Sequence, residues 1–392
     1  MIKSKIAIIQ RAIPPEYSGA GKRALKQAQA LSQFFEIDLY TFTRNHKHCD
    51  MVNIKTIGCK NYYSERGRVI RKILNLPAVI FYLLRNINTQ YKLIHCIEGI
   101  GSFLTYICVI IAKMRGIPVS VGCTLDGSDD PYSLRRSLFG KHKYRLLCSV
   151  NLHICLSPRL YNKYMETGFC ARSVKLIPNS VDINKFCCVT NDSRTILRRQ
   201  LNIDCELTVF IMVGAVIKRK GVDEVVKALC EHFDSSKFML LLVGPYDIEV
   251  TYYRSIIDYV VKNGYTNCIR FTGSISEPEM YYQVADIFIL NSESEGMPNS
   301  VIEAQSCGLP VFMREIPGIS DFIISHKYDG IIYNGINELC DELNNFLTDT
   351  KTACTLRERA MFNAESRFSE TKVISRYYDA FMEVIDRCYP MG

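Results

Sequence analysis

The sequence has no apolar stretch of the length needed to cross a bilayer. The longest such run, Ile100 to Ala112, contains Ser102 and Thr105 and falls short of the roughly 20 residues of a spanning helix. It reads instead as a buried helix ending at Arg115-Gly116, with Pro118 opening the next strand. The opening residues Met-Ile-Lys-Ser-Lys-Ile-Ala-Ile-Ile-Gln carry an apolar stretch too short for a signal-peptide core, so they are expected to form a first strand. Repeats of solenoid length and low-complexity segments are absent, which excludes repeat arrays and disordered chains. The 17 cysteines show no framework spacing, Cys187 and Cys188 are adjacent, and a chain of this size needs no covalent staples; a reducing cytoplasm is expected. His46-Lys-His48-Cys49 imitates a metal cluster but lacks a second pair of ligands, so a solvated loop is expected there.

What is present points to two globular cores. At 392 residues and 48% hydrophobic, the chain exceeds the size at which a single core stops growing. Short apolar strands alternate with helix-length segments, the pattern of a doubly wound α/β fold. Strands are expected near 5–10, 37–42, 92–97, 118–123, 152–156 and 174–178, then at Val209–Val213, Met239–Val243, Ile269–Phe271, 286–290 and 310–313. The polar stretch 183–206 between the two sets is the candidate linker. A terminal helix from about Thr371 to Arg387 carries Tyr377, Tyr378 and Phe381.

Charge divides unevenly. Residues 1–190 hold 28 Lys and Arg against 11 Asp and Glu, a net of +17; the remainder hold 20 against 29, a net of −9. The segment Arg66 to Arg85 mixes basic and apolar residues as a surface-seeking amphipathic helix does, and Arg135, Arg136, Lys141, Lys143 and Arg145 add charge to the same half. Attraction to an anionic membrane surface is the favoured reading, beside the plainer one of a partly buried helix with solvated arginines. Nucleic acid is not expected, because no recognition motif with interleaved aromatics accompanies the charge.

The most informative run is Asn291-Ser-Glu-Ser-Glu-Gly-Met-Pro-Asn-Ser-Val-Ile-Glu-Ala-Gln-Ser-Cys-Gly-Leu-Pro-Val-Phe312. It reads as a strand, a loop, a helix with Pro298-Asn299 as first-turn and cap residues, and a stop at Gly308-Leu-Pro310. Glu295 then lies in the loop at the strand's carboxyl end and Glu303 in the helix. That edge is where open α/β sheets bind ligands, and a helix N-terminus there suits phosphate. Two carboxylates beside a phosphate site suit a ligand rich in hydroxyls.

This run resembles the Glu-x7-Glu signature of retaining glycosyltransferases of family 4, the glycosyl transferases group 1. The resemblance covers nearly the whole chain. Gly19-Ala-Gly21, Leu176-Ile-Pro-Asn-Ser-Val-Asp182, Gly214-x5-Lys220-Gly221, Val243-Gly-Pro245 and Phe271-Thr-Gly273 recur in the family's order.

The resemblance implies a GT-B fold: two Rossmann-like, doubly wound parallel-sheet domains facing across a cleft, with a C-terminal helix crossing back to the first. The domains are then 1–185 with 371–392 on the acceptor side, and 186–370 for the nucleotide sugar. It implies transfer of a hexose or hexosamine from a nucleotide diphosphate sugar, with a UDP-sugar favoured over a GDP-sugar, to a glycan or lipid-linked acceptor. The setting implied is cell-envelope polysaccharide or glycolipid synthesis at the inner face of the cytoplasmic membrane. Neither a cofactor nor a metal is expected, since basic residues and helix ends neutralise the diphosphate in this fold. An epimerase on the same scaffold and a non-catalytic nucleotide-sugar binder are the alternatives.

By the same resemblance, Lys220 faces the diphosphate, Glu303 takes the ribose hydroxyls and Glu295 a hydroxyl of the donor sugar. Backbone amides around Gly296, Met297 and Pro298 hold the rest, and Gly19 and Gly21 lie in a first loop that approaches the diphosphate. The family's usual arginine after the first glycine of the lysine motif is Ala215 here, and Arg219 is the neighbouring cation that could replace it. Thr124-Leu-Asp-Gly-Ser-Asp129 stands where the family often has Thr-x-His-Gly-x-Asp, which puts Asp126 at the reacting centre in place of histidine. His95 has two readings, a cleft residue or a hydrogen-bonded core histidine.

Overall fold

The computed structural model describes residues 3–16, 19–58, 68–124, 130–137 and 139–390. The chain divides into two compact units, Met1–Pro178 with Ile374–Gly392, and Asn179–Val373. The domain limits read from the sequence fall at 185/186 and 370/371, a few residues from these divisions.

The first unit holds a parallel sheet of seven strands: β1 Lys5–Ile9, β2 Glu36–Thr41, β3 Asn53–Thr56, β4 Leu93–Cys96, β5 Val119–Cys123, β6 Leu152–Cys155 and β7 Val174–Leu176. Their order is β3-β2-β1-β4-β5-β6-β7. Strands β4, β5 and β6 are buried along their whole length, which is why they read as apolar runs rather than alternating ones. The run near residue 100 is the helix Phe103–Met114, as expected. The last helix, Glu370–Cys388, belongs to this unit from Ile374 onward. There Phe381 packs on Phe35 and His95, and Tyr378 on Phe34.

Edge strand β3 escapes sequence reading, because Asn-Ile-Lys-Thr has only one apolar residue. Its side chains hold it in place. Asn53 Nδ2 donates to Asp38 at 2.8 Å and Lys55 lies 2.7 Å from the same carboxylate, which is wholly buried on β2 and also accepts from the Tyr91 hydroxyl. Burial by itself would raise the Asp38 pKa; the bonds from Lys55, Tyr91 and Asn53 overcome it and hold the carboxyl below its ordinary range.

The second unit holds six parallel strands: β8 Thr208–Val213, β9 Phe238–Val243, β10 Ile269–Gly273, β11 Ile287–Leu290, β12 Val311–Arg314 and β13 Ile331–Tyr333. Their order is β10-β9-β8-β11-β12-β13, so the winding reverses between β8 and β11. Strand β13, three residues long at the sheet edge, is also absent from the sequence reading.

The candidate linker is corrected in part. Within 183–206 lies the helix Asn191–Gln200, with Thr190 as its N-cap. Arg194 and Arg198 reach Asp286 at 2.5 and 2.7 Å, and Asp286 also accepts from the Val209 amide at 2.8 Å. This polar stretch is therefore an arginine clamp on the starts of β8 and β11, not a spacer.

Candidate active site at the sheet reversal of the second unit

Where the winding of a parallel sheet reverses, the loops leaving the two central strands part and open a crevice at their carboxyl ends. The loop after β8 carries Lys218-Arg-Lys220, folded as one turn of 3₁₀ helix. The loop after β11 carries Glu295. Lys220 Nζ lies 2.5 Å from Glu295 Oε1, and Arg219 Nη1 lies 3.0 Å from the same oxygen. Arg219 also donates to the Ser294 carbonyl, and its own carbonyl accepts from the Glu293 amide at 2.9 Å. The two loops are thus clipped together across the reversal point.

Gly221 explains how the lysine turn is seated. Its φ of 58° is left-handed, and a Cβ there would stand 2.4 Å from Asn291 Nδ2. Asn291, buried at the end of β11, donates through that nitrogen to the Gly221 carbonyl (3.0 Å) and to Glu224 (2.8 Å), and accepts from the Tyr333 hydroxyl (3.1 Å). The glycine after Lys220 is required so that the turn can rest directly on Asn291.

The electrostatics centre on Glu295, whose side chain is only 12% exposed. Burial pushes its pKa up, and the Lys220 ammonium together with the Arg219 guanidinium outweighs burial, so the carboxyl stays below its ordinary range. The site contains an anion held between two cations.

Glu303 lies in the helix Asn299–Ser306, which stops before Gly308 as expected. Its Oε2 accepts from the Tyr282 hydroxyl at 2.8 Å. The cap chemistry differs from expectation: Pro298 takes the N-cap position, no side chain caps the helix, and Asn299 is its first residue. Asn299 Oδ1 is occupied by Asn179 Nδ2 at 2.7 Å. Asn179 also donates to Met297, from its amide to Sδ at 3.1 Å and from Nδ2 to the carbonyl at 3.2 Å. The Pro-Asn-Ser motif around residue 179 therefore fixes the Gly296 to Pro298 segment, whose residues are all buried.

One other expectation is corrected, and one open choice is decided. Gly19 and Gly21 do not form a loop: they make the first turn of the helix Gly19–Leu31. A Cβ on Gly21 would stand 2.1 Å from the Ala12 carbonyl, so glycine here serves the contact between this helix and the chain leaving β1. His95 is a core residue, 1% exposed, with Nδ1 at 3.1 Å from Ser120 Oγ and burial pushing its pKa down to about 3. Asp126 lies outside the described residues. Among the described residues no group of three or more His, Cys, Asp or Glu could hold a metal ion, and the 16 described cysteines are free.

Sequence reading missed Tyr282 and Asn291. Asn291 carried a signal, a polar residue ending an apolar strand at the ligand edge. Tyr282 carried none, since an aromatic in a short helix looks like core. At the reversal point of the first sheet, between β1 and β4, Glu98 accepts from Gln10 Nε2 and the Arg11 amide, both at 2.8 Å, and was not singled out either.

Residues 193–364, inside the second unit and spanning the whole Lys220 to Glu303 constellation, match the family model for glycosyl transferases group 1. That matched segment, the core of the second unit, is similar to the group 1 glycosyl transferases. Among its relatives are the alpha-monoglucosyldiacylglycerol synthase of Acholeplasma laidlawii, 24% identical over 64% of this chain, and the Escherichia coli UDP-Gal:alpha-D-GlcNAc-diphosphoundecaprenol alpha-1,3-galactosyltransferase, 24% identical over 70%. The matched stretches span 63% and 72% of those two relatives. Among solved structures, Anabaena HepE in complex with UDP and glucose superposes with a TM-score of 0.78 at 17% identity, over 97% of this chain and all of that one. The chain thus has the GT-B architecture, built from two Rossmann-like parallel-sheet units.

Proposed function

We propose that this chain is a retaining group 1 glycosyltransferase, moving a hexose or hexosamine from a nucleotide diphosphate sugar to a glycan or lipid-linked acceptor in cell-envelope polysaccharide or glycolipid synthesis. The observation that carries the reading is the meeting of Lys220, Arg219 and Glu295 at the sheet reversal, beside the helix that bears Glu303. Departure of a nucleoside diphosphate from the sugar builds negative charge on the leaving group, and Lys220 is the fixed cation placed to stabilise it. Arg219 supplies the second positive charge in the absence of arginine at Ala215, from a different position and already engaged with Glu295. Glu303 takes the ribose hydroxyls and Glu295 a hydroxyl of the sugar; each carboxylate accepts strong bonds from hydroxyl donors. The leaving diphosphate takes the acceptor proton on the same face, so no side chain is the nucleophile and no metal is required. A UDP-sugar is the favoured donor, in line with the UDP seen in HepE and the donor named for the Escherichia coli relative.

The acceptor reading is lipid-linked. Among the described residues no helix is long and apolar enough to cross a membrane. The first unit instead exposes Phe103, Ile110 and Met114 along one stripe of the helix Phe103–Met114, beside Lys113 and Arg115, and Phe81 on the helix Arg68–Asn86. Arg115 Nη2 donates to the Leu84 carbonyl at 2.5 Å and ties the second helix to the first. With the net charge of +17 over residues 1–190, this surface supports peripheral binding to an anionic leaflet.

The test is release of nucleoside diphosphate on incubation with a panel of uridine and guanosine sugars and a lipid-linked or glycan acceptor. Acceptor-dependent release supports transfer; donor binding without release, the outcome Ala215 would favour, makes the chain a non-catalytic binder.

A further inference from the structure

Tyr282 lies in the short helix Glu279–Val284 and is fully buried. Its ring is fixed on two sides, edge-on to Phe186 at 5.7 Å and stacked with Phe288 of β11 at 6.0 Å. The helix end is fixed as well. The Val284 carbonyl accepts from Arg198 Nε at 3.0 Å, and Arg198, itself 5% exposed, is bound to Asp286 at the head of β11. From this rigid seat the phenol donates to Glu303 Oε2 at 2.8 Å. Burial, followed by the charge of Glu303, pushes the Tyr282 pKa well up, so the hydroxyl remains a donor at any working pH.

A glutamate has three rotatable bonds, and freezing them when a ligand binds costs affinity. An acceptor oxygen already anchored by a buried phenol has met most of that cost in advance. We infer that Tyr282 is a positioning residue for donor binding, acting through Glu303 to hold its carboxylate ready for the ribose hydroxyls of a nucleoside diphosphate. This rests on the reading of Glu303 as the ribose partner.

Tyr282→Phe removes one oxygen and keeps the ring contacts. Titration calorimetry with UDP and GDP first identifies the tighter nucleotide, which is then compared with its 2′,3′-dideoxy analogue on wild type, Tyr282→Phe, Glu303→Ala and the double variant. Tyr282→Phe is expected to weaken the ribonucleotide about three- to thirty-fold, less than the roughly ten- to hundred-fold of a lost bond to a charged group because Glu303 itself is still there to bind. The dideoxy analogue should bind wild type and Tyr282→Phe alike, and the double variant should bind no more weakly than Glu303→Ala. In turnover, the KM for the donor should rise by a similar factor with kcat little changed. Unaltered ribonucleotide affinity in Tyr282→Phe, or an equal loss for the dideoxy analogue, overturns the inference while leaving the site reading intact. Wild type that binds neither nucleotide, or Glu303→Ala that binds as wild type, overturns the site reading and the inference with it.

Discussion

Replacing Lys220 by alanine tests the site through two independent readouts. In the folded chain Glu295 and Lys220 are 12% and 14% exposed, and the ammonium is the nearer of the two cations on Oε1. Breaking a buried ion pair by removing one partner costs about 3–5 kcal/mol when the other charge is left alone. Here Arg219 remains at 3.0 Å, although its side chain is 41% exposed and therefore a screened, weaker partner. The loss in Lys220→Ala should accordingly be smaller, about 1–3 kcal/mol in urea denaturation at pH 7. Its pH dependence is distinctive. In wild type the Glu295 pKa is depressed, so the pairing contributes fully above the ordinary value of 4.5 and is lost only as pH falls through the lower folded value. In the variant burial has less to oppose it and the folded pKa rises; protonation then relieves the unpaired charge as pH falls toward 4.5. The stability gap between the two proteins should therefore narrow from pH 7 toward pH 4.5. The second readout is donor affinity at pH 7, expected to fall roughly ten- to a hundred-fold with the loss of a charged contact to the diphosphate. A gap that widens on acidification refutes the electrostatic account of Glu295, and unchanged donor binding in a folded variant refutes the place of Lys220 in the site.

Glu303→Ala should lower donor affinity or turnover about ten- to a hundred-fold while the chain stays folded, with the melting temperature a few degrees lower because the buried Tyr282 hydroxyl loses its acceptor, measured by calorimetry and thermal scans; wild-type kinetics would remove Glu303 from the site. Product formed early in the reaction should keep the anomeric configuration of the donor, and NMR showing inversion would reject the retaining mechanism. Lys55→Met should destabilise the chain by about 2–3 kcal/mol, short of the full cost of an unpaired buried charge because Lys5 lies 3.4 Å from Asp38 and Tyr91 still donates to it. Since the Asp38 pKa is depressed, wild-type stability from this network should hold above pH 3.8 and fall below it, which urea midpoints against pH will show. The chain should sediment with strongly anionic vesicles at low salt and release them at high salt, more weakly when Arg66, Arg68, Arg71 and Lys72 are neutralised; wild type left in the supernatant at low salt would favour a soluble acceptor.

The sequence disclosed those parts of the fold whose residues answer to a single local cause. Buried strands such as β5, β9 and β11 are apolar throughout because both faces are covered, and the helix carrying Glu303 is bounded by proline and glycine. Strand β13 stayed hidden because three residues are too short a run to read, and β3 because its order comes from elsewhere. Asn53 and Lys55 hold β3 through Asp38, a residue fifteen or more positions away that nothing local marks as a buried charge. The arginines of the helix Asn191–Gln200 make the same point: in sequence they are polar filler between two domains, and partners about ninety positions on, Asp286 and the carbonyls just before it, help to make them structural.

The site divides along the same line. Lys220 and Glu295 were legible as types at the right places, since a lysine turn after one strand and a glutamate loop after another both fall at the ligand edge. Their mutual pairing was not legible, because it depends on which strands are neighbours, and β8 and β11 are adjacent although two strands of sequence lie between them. That adjacency gives the chemistry its form. With the winding reversed at β8 and β11, one loop brings two cations and the other the anion they hold, so Lys220, Arg219 and Glu295 together keep one positive charge to spare. On the proposed reading, a diphosphate entering the site would draw Lys220 from Glu295 or share it, releasing Glu295 toward a sugar hydroxyl. In that case binding of the charged half of the donor and recognition of its sugar half are coupled through the Lys220–Glu295 pair, and substitutions at Lys220 should alter discrimination between donor sugars as well as affinity for the nucleotide.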